Sequence, residues 1–123
     1  MKPQGFELAW ITVSDIKKGI KFYTEVLGLK LEEHHEQYGW AELSGPRGAR
    51  LGIAQYDPNF GFKPGSNAIP TFTVDDLEEA LAELKQKNAN LIGEIVEVPG
   101  EVKMQTITDS DGNTFQLCQL LKK

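Results

Sequence analysis

The chain has 123 residues with 13 basic and 18 acidic side chains, which give a formal net charge of −5. This length suits a single domain, and the acidic balance argues against nucleic acid or anionic membranes as partners, because their phosphates require clustered Lys and Arg. One cysteine, Cys118, excludes an internal disulfide framework. Residues 1–6 lack a signal-peptide pattern, and no apolar run approaches the roughly 20 residues of a membrane helix. We therefore expect a cytoplasmic protein.

The first half of the chain predicts the element order βαβββ. Residues 7–13 alternate like a strand, and Ser14 or Asp15 is placed to cap a helix whose apolar residues recur at helical spacing. Gly28 is placed to end that helix. Three short strands follow, with a turn at 45–48 before the last of them, at residues 29–33, 38–43 and 51–56.

The second half of the chain predicts the same order again. Residues 57–66, rich in Gly and Pro, form the connection between the two units. The elements predicted after it are a strand at 68–74, a helix from 76 to about 87, and strands near 91–98, 102–108 and 113–120.

A short internal repeat supports this duplication. The string Ile11-Thr12-Val13-Ser14-Asp15-Ile16 reappears 61 residues later as Phe72-Thr73-Val74-Asp75-Asp76-Leu77. Shared apolar positions at a fixed offset are typical of a repeated supersecondary unit. The alternative is that two unrelated strand–helix units share common capping chemistry. We predict one domain over residues 1–123, made of units at about 6–56 and 67–121.

Two motifs resemble those of the vicinal oxygen chelate superfamily, which includes glyoxalase I, extradiol dioxygenases and bleomycin resistance proteins. They are the helical string Phe22-Tyr23-Thr24-Glu25-Val26-Leu27-Gly28 and the late turn Asp109-Ser110-Asp111-Gly112-Asn113. The resemblance covers essentially the whole chain. It implies an α+β fold of two tandem βαβββ units, each a curved sheet with its helix on the convex side and a ligand cavity on the concave side. The alternative is an unrelated α+β domain with the same order of elements.

The resemblance also identifies the positions at which metal-dependent relatives carry their ligands. In this chain those positions hold Leu8, Gly52, Ile69 and Gln116. Three of the four have no side chain that coordinates a metal, whereas catalytic divalent metals normally take about three protein ligands. We therefore predict no cofactor. The exception would be a register shift that brings Glu7 or Glu42 into a ligand position.

The histidines support this prediction independently of the resemblance. His34 and His35 are the two histidines of the chain, and they are adjacent. Neighbouring strand residues point to opposite faces, so the pair cannot bind one ion in a regular strand, although a loop or bulge would relax this argument.

Strand alternation predicts the residues that face the ligand cavity. The candidate ligand-binding set adds His35, at the cavity mouth, to the inward-facing residues Trp10, Thr12, Trp40, Glu42, Thr71, Met104, Thr106 and Gln116. Trp10 and Trp40 could form an aromatic platform for a flat or cationic ligand, or belong to the core. Gln116 could bind ligand, Thr114 or a metal.

Glu42 is the candidate catalytic residue. Burial beside Trp10 and Trp40 would raise the pKa of its carboxyl group and make it a general base, or a counter-charge for a cationic ligand. The alternative is a solvated strand end or a carboxylate bound by backbone donors. His35 is a candidate titrating partner of Glu42, or else an exposed turn residue. Cys118, with no basic neighbour in sequence, is expected to be a buried, inert thiol.

Two classes of function remain open. One is a small-molecule binding protein, similar to the drug-sequestering members of the superfamily. The other is an enzyme, either a glyoxalase-like lyase or isomerase, or a dioxygenase, using Glu42 or a non-standard metal site. In both cases the resemblance implies a homodimer with two equivalent sites at its interface, and the short strands leave sheet edges that need covering.

Overall fold

The computed structural model describes residues 7–59, 63–65 and 69–121, together with Lys2 and Gln4. Part of the predicted connection and the start of the strand expected at 68 lie outside these residues. The chain divides into two compact units, Met1–Lys63 and Pro64–Lys123. No helix in the described ranges is long and apolar enough to cross a membrane.

Each unit has the predicted βαβββ order. The elements of the first unit are β1 (Ala9–Val13), α1 (Ile16–Lys21), β2 (Lys30–His35), β3 (Trp40–Ser44) and β4 (Arg50–Gln55). Those of the second unit are β5 (Thr71–Thr73), α2 (Leu77–Gln86), β6 (Asn90–Val98), β7 (Val102–Thr108) and β8 (Thr114–Leu120). The fold class predicted from the sequence is confirmed.

The two sheets share one topology. Their strand orders are β1-β4-β3-β2 and β5-β8-β7-β6. In both sheets the first strand pairs in parallel with the last, and the remaining neighbours are antiparallel. This common order extends the internal repeat from a six-residue string to the complete units.

Both helices begin at an aspartate. The Asp15 carboxylate accepts hydrogen bonds from the backbone N–H groups of Lys17 and Lys18, at 3.0 and 3.3 Å. Asp76 accepts one from the N–H of Glu79, at 3.0 Å. Such caps satisfy amide groups that have no partner within the helix. Of the two caps considered for the first helix, the structure has Asp15.

A glutamine from the last strand of each unit completes the same helix start. The Gln55 side-chain oxygen accepts a hydrogen bond from the N–H of Ile16, at 2.9 Å. The Gln119 oxygen accepts one from the N–H of Leu77, at 2.8 Å. These equivalent contacts tie each helix to the strand that pairs with its own β1 or β5.

The core of the first unit lies between α1 and one face of the sheet. A methyl group on Gly19 of α1 would lie 3.2 Å from Val13 and 3.3 Å from Ile53, so the helix approaches the sheet closely. The buried apolar residues are Ile11, Val13, Ile16, Tyr23, Ala41, Leu43, Leu51 and Ile53. Because strand residues alternate, the opposite face carries Trp10, Thr12 and Trp40.

The core of the second unit has the same arrangement. Its buried apolar residues are Leu77, Leu81 and Leu84 of α2 with Ile107, Phe115 and Leu117 of the sheet. Phe72 meets Phe115 edge to face, with ring centroids 6.0 Å apart. The face opposite these residues carries Thr71, Met104, Thr106 and Gln116, as alternation predicts.

The helix of the first unit differs from the prediction at its end. Regular α-helix stops at Lys21, and a π-helical turn, Phe22–Val26, continues the chain. The Thr24 hydroxyl donates to the Ile20 carbonyl at 2.8 Å, in competition with the backbone ladder. Gly28 then adopts φ = +82°, which ends the helical segment where expected.

Candidate functional site

An open cavity of about 620 Å³ lies on the first unit. The described residues that line it are Trp10, Thr12, Glu36, Tyr38, Gly39, Trp40, Ala54, Gln55, Tyr56, Asp57 and Pro58. Three of them, Trp10, Thr12 and Trp40, belong to the candidate set derived from the sequence. They come from β1 and β3, which lie on either side of β4.

The pairing of these strands brings the two indoles together. Trp10 pairs with Gly52 of β4, and Trp40 of β3 pairs with Ala54. The Trp10 and Trp40 ring centroids are 6.0 Å apart, with the ring planes at 70°. A methyl group on Gly52 would lie 2.3 Å from Cη2 of Trp40 and 2.9 Å from Cβ of Trp10. The glycine therefore leaves the room that the Trp40 ring occupies.

Gly39 brings a turn to the cavity. It follows the 3₁₀ turn Glu36–Tyr38 and adopts φ = +61°, a left-handed conformation that favours glycine. A methyl group on Gly39 would lie 2.8 Å from Cβ of Gln55, and the Gly39 carbonyl accepts the Gln55 N–H at 2.8 Å. This close contact fixes Glu36 and Tyr38 beside the end of β4.

Glu42 lies beside the cavity and is not one of its lining residues. Nε1 of Trp40 donates to one carboxylate oxygen of Glu42, and Nη1 of Arg50 donates to the other, both at 2.9 Å. The same Arg50 nitrogen contacts the Glu33 carboxylate. Nε2 of His35 lies 2.8 Å from the other Glu33 oxygen. Glu42 thus orients the Trp40 ring and is itself held by Arg50.

The pKa of Glu42 shifts in the direction opposite to the prediction. The hydrogen bond from Arg50, followed by that from Trp40, lowers the pKa of this carboxyl group despite its partial burial. The prediction of a raised pKa is wrong, because it considered the two indoles and not Arg50, which lies on the neighbouring strand. A lowered pKa and two bound donors make Glu42 a poor general base. Its catalytic role remains a prediction.

His35 contacts a different carboxylate from the one expected. Its ring nitrogen faces Glu33, and Arg50 connects Glu33 to Glu42. The pKa of Glu33 is lowered, first by its hydrogen bond with His35 and then by Arg50. His34 pairs with Ala41 and His35 with Trp40, so β2 continues two residues beyond its predicted end at 33, and the two histidines occupy successive positions on it.

The other candidate residues belong to the second unit. Gln116 pairs with Thr71 on one side and with Thr106 on the other, and its amide donates to the Thr106 hydroxyl at 3.2 Å. Met104 pairs with Cys118, which is buried. Their ligand-binding role remains a prediction.

The residues do not fit the divalent-metal site that the superfamily implies. Position 52 cannot carry a ligating side chain while Trp40 occupies its space. Within residues 7–59, 63–65 and 69–121, no group of three or more His, Cys, Asp or Glu side chains is arranged to hold a metal ion. The absence of a cofactor nevertheless remains a prediction.

The lining residues that sequence reasoning missed include Glu36, Tyr38, Tyr56, Asp57 and Pro58. It assigned inward-facing positions along strands, whereas these five lie in the turn before β3 and in the segment after β4. The signal that could have found them is Gly39, since a glycine between two strands marks a turn that brings its neighbours close to another strand.

The sequence model of the Glyoxalase/Bleomycin resistance protein/Dioxygenase superfamily matches residues 6–117. The chain belongs to this superfamily. The resemblance drawn from the two motifs is thus confirmed. Among curated proteins, the chain is 33% identical to lactoylglutathione lyase GLX1 of Arabidopsis thaliana, over 87% of its own length and 41% of that protein. The chain therefore spans about two fifths of the length of that relative.

Two solved structures of the superfamily fold cover the chain almost completely. TnmS3, an antibiotic binding protein from Streptomyces sp. CB03234, matches with a TM-score of 0.80 and 26% identity, over 98% of both chains. A superfamily member from Sphaerobacter thermophilus matches with a TM-score of 0.75 and 24% identity, over 95% of this chain and 99% of that one. The latter likeness supports the fold alone.

Proposed function

We propose that this protein binds a small organic molecule in the aromatic cavity of its first unit, without a catalytic metal. One observation carries the proposal. Position 52, where metal-dependent relatives carry a metal ligand, holds a glycine, and the Trp40 ring occupies the space of its missing side chain. Trp40 and Trp10 together line the cavity. A volume of about 620 Å³ is in the usual range for small-molecule sites.

The likeness to TnmS3 supports a binding function. That protein is described as binding an antibiotic, and the two chains match over 98% of their length. The alternative is an enzyme of the superfamily, which the 33% identity to a lactoylglutathione lyase supports. Such an enzyme would use Glu42 or a non-standard metal site. The two donors already bound to the Glu42 carboxylate argue against its use as a base.

We also propose that the protein forms a homodimer. The strand β6 lies at the edge of the second sheet and exposes Ile92, Ile95, Val96 and Val98. An exposed apolar edge strand is a template for pairing with another chain. A second copy provides a partner of the same shape on a two-fold axis.

A blocked cavity tests the binding function. The purified protein is screened against a library of small aromatic and heterocyclic compounds by ligand-observed NMR, beside the variant Ala54→Leu. Ala54 lines the cavity, so the larger side chain should abolish the binding of most hits. The matched control is Ala82→Leu on an exposed position of α2, which should bind normally. Hits that bind equally to all three proteins would overturn the proposal.

The enzyme alternative has its own test. The wild-type protein is assayed with the hemithioacetal of methylglyoxal and glutathione, with and without added nickel or zinc, and its metal content is measured after dialysis. We expect no turnover and no stoichiometric Zn, Ni, Fe or Mn. About one retained ion per chain, or metal-dependent turnover, would favour the enzyme.

A further inference from the structure

We propose that the cavity of the first unit selects a planar organic cation. This inference rests on the proposed function and names the class of ligand for the same site. It follows from two properties of the lining that the binding function alone does not require, namely four aromatic side chains and an uncompensated negative charge.

The aromatic groups are Trp10, Tyr38, Trp40 and Tyr56. Trp10 is 42% exposed and Tyr38 is 78% exposed, so large parts of both rings remain available to a ligand. Since the two indole planes lie at 70°, they border the cavity in two directions. A flat ligand can stack on such faces, and a cation within about 6 Å of an indole face is attracted by its quadrupole.

The charged groups of the lining are both acidic. Glu36 and Asp57 carry the carboxylates, and the described lining residues include no Lys, Arg or His. Asp57 accepts a hydrogen bond from the N–H of Asn59, at 2.9 Å. Within the described part of the chain, neither carboxylate forms an ion pair. Their charge is therefore available to a ligand.

The nearby basic groups do not neutralise this charge. Arg50 lies between Glu33 and Glu42 and contacts both carboxylates, and His35 contacts Glu33. These side chains are thus already paired and offer little attraction to an anionic ligand. The net charge of −5 adds to the attraction for a cation.

Three compounds with the same bicyclic framework test the inference by isothermal titration calorimetry. They are N-methylquinolinium, which is cationic, N-methylquinolin-2-one, which is neutral, and quinoline-2-carboxylate, which is anionic. We expect the cation to bind about tenfold more tightly than the neutral compound, and the anion not to bind measurably. Added salt should weaken the binding of the cation and leave that of the neutral compound unchanged.

Charge-removing variants identify the groups responsible. Glu36→Gln and Asp57→Asn should each raise the Kd of the cation about threefold and leave the Kd of the neutral compound unchanged. Glu101→Gln, at an exposed turn of the second unit, is the matched control and should bind all three compounds like the wild type.

The outcomes separate this inference from the proposed function. If the neutral compound binds as tightly as the cation and Ala54→Leu abolishes both, the cation selectivity is wrong and the binding site stands. If none of the three binds at concentrations up to about 1 mM, the inference is wrong. The compound screen with Ala54→Leu then decides the binding function separately.

Discussion

At position 52 there is no room for a side chain, because the Trp40 ring fills the space beside the glycine. A methyl group there would lie 2.3 Å from Cη2 and 2.7 Å from Cζ2 of Trp40. We expect Gly52→Ala to displace the indole and lower the free energy of unfolding by about 1–3 kcal/mol, the usual cost of overpacking. Chemical denaturation measures this loss.

A double-mutant cycle isolates the steric contact. In the background Trp40→Ala, the substitution Gly52→Ala should cost less, because the two Trp40 ring atoms nearest to the added methyl group are gone, while the contact with Cβ of Trp10, at 2.9 Å, remains. Gly45→Ala, in the turn directly after β3, is the control, since the nearest neighbour of its added methyl group would be 3.9 Å away. Equal costs for Gly52→Ala in both backgrounds would contradict the contact.

Glu42→Gln tests the electrostatic role of the Glu42 carboxylate. Arg50 and Trp40 lower its folded-state pKa below the unfolded value, so its stabilising contribution is present above about pH 4.3 and is lost as the pH falls through the folded-state pKa. Near pH 7 the variant should melt about 2 °C lower than the wild type. This difference should shrink as the pH falls and vanish once the pH lies below the folded-state pKa.

The comparison needs a control variant, and Glu101 provides it because its carboxylate forms no ion pair within the described residues. Glu101→Gln, exposed in the turn after β6, should melt like the wild type throughout this range. A Glu42→Gln protein with the same or a higher melting temperature near pH 7 would contradict a stabilising role for the contacts of this carboxylate with Trp40 and Arg50.

At the scale of the elements, the contact between Gln119 and α2 gives a test of how each helix is anchored. Gln119→Leu leaves the N–H of Leu77 without its acceptor at a fully buried residue. We expect a loss of about 1–3 kcal/mol in the free energy of unfolding. Gln119→Glu keeps an acceptor oxygen and places a negative charge near a helix N-terminus, so it should retain most of the stability. Equal losses in both variants would contradict this role.

The elements themselves followed from local sequence. Each signal lies within a few residues of the structure that it predicts. These signals are strand alternation, the helix caps at Asp15 and Asp76, and the glycine at position 28. The π-helical turn Phe22–Val26 was missed, because the apolar spacing of that segment is also compatible with α-helix.

The candidate site was predicted only in part, and the reason lies in pairing between strands. Trp10, Thr12 and Trp40 were predicted to face the cavity because alternation depends on one strand at a time. The partner of Glu42 was not predicted, since Arg50 reaches it from the neighbouring strand through a register that sequence spacing does not reveal. Tyr38 and Asp57 were missed for a different reason: they lie in connections, where strand alternation does not apply.

For the whole molecule, the homodimer is the prediction that solution measurements address. Sedimentation equilibrium at micromolar concentration should give about twice the chain mass of 13.7 kDa. Val96→Lys places a charge on the exposed edge strand β6 and should shift the protein toward monomer, as charged residues on edge strands oppose pairing. A monomer mass for the wild type would contradict the proposal.

Indole NMR signals test most directly whether the cavity of the first unit binds a ligand without metal, because the two tryptophans of the chain both line this cavity. Protein freed of metal by chelation is titrated with N-methylquinolinium, and the two indole N–H signals are assigned from Trp10→Phe and Trp40→Phe. We predict that both signals shift together and saturate without added metal. Unmoved indole signals while other resonances saturate, or shifts that require added zinc, would contradict a metal-free site between the two indoles.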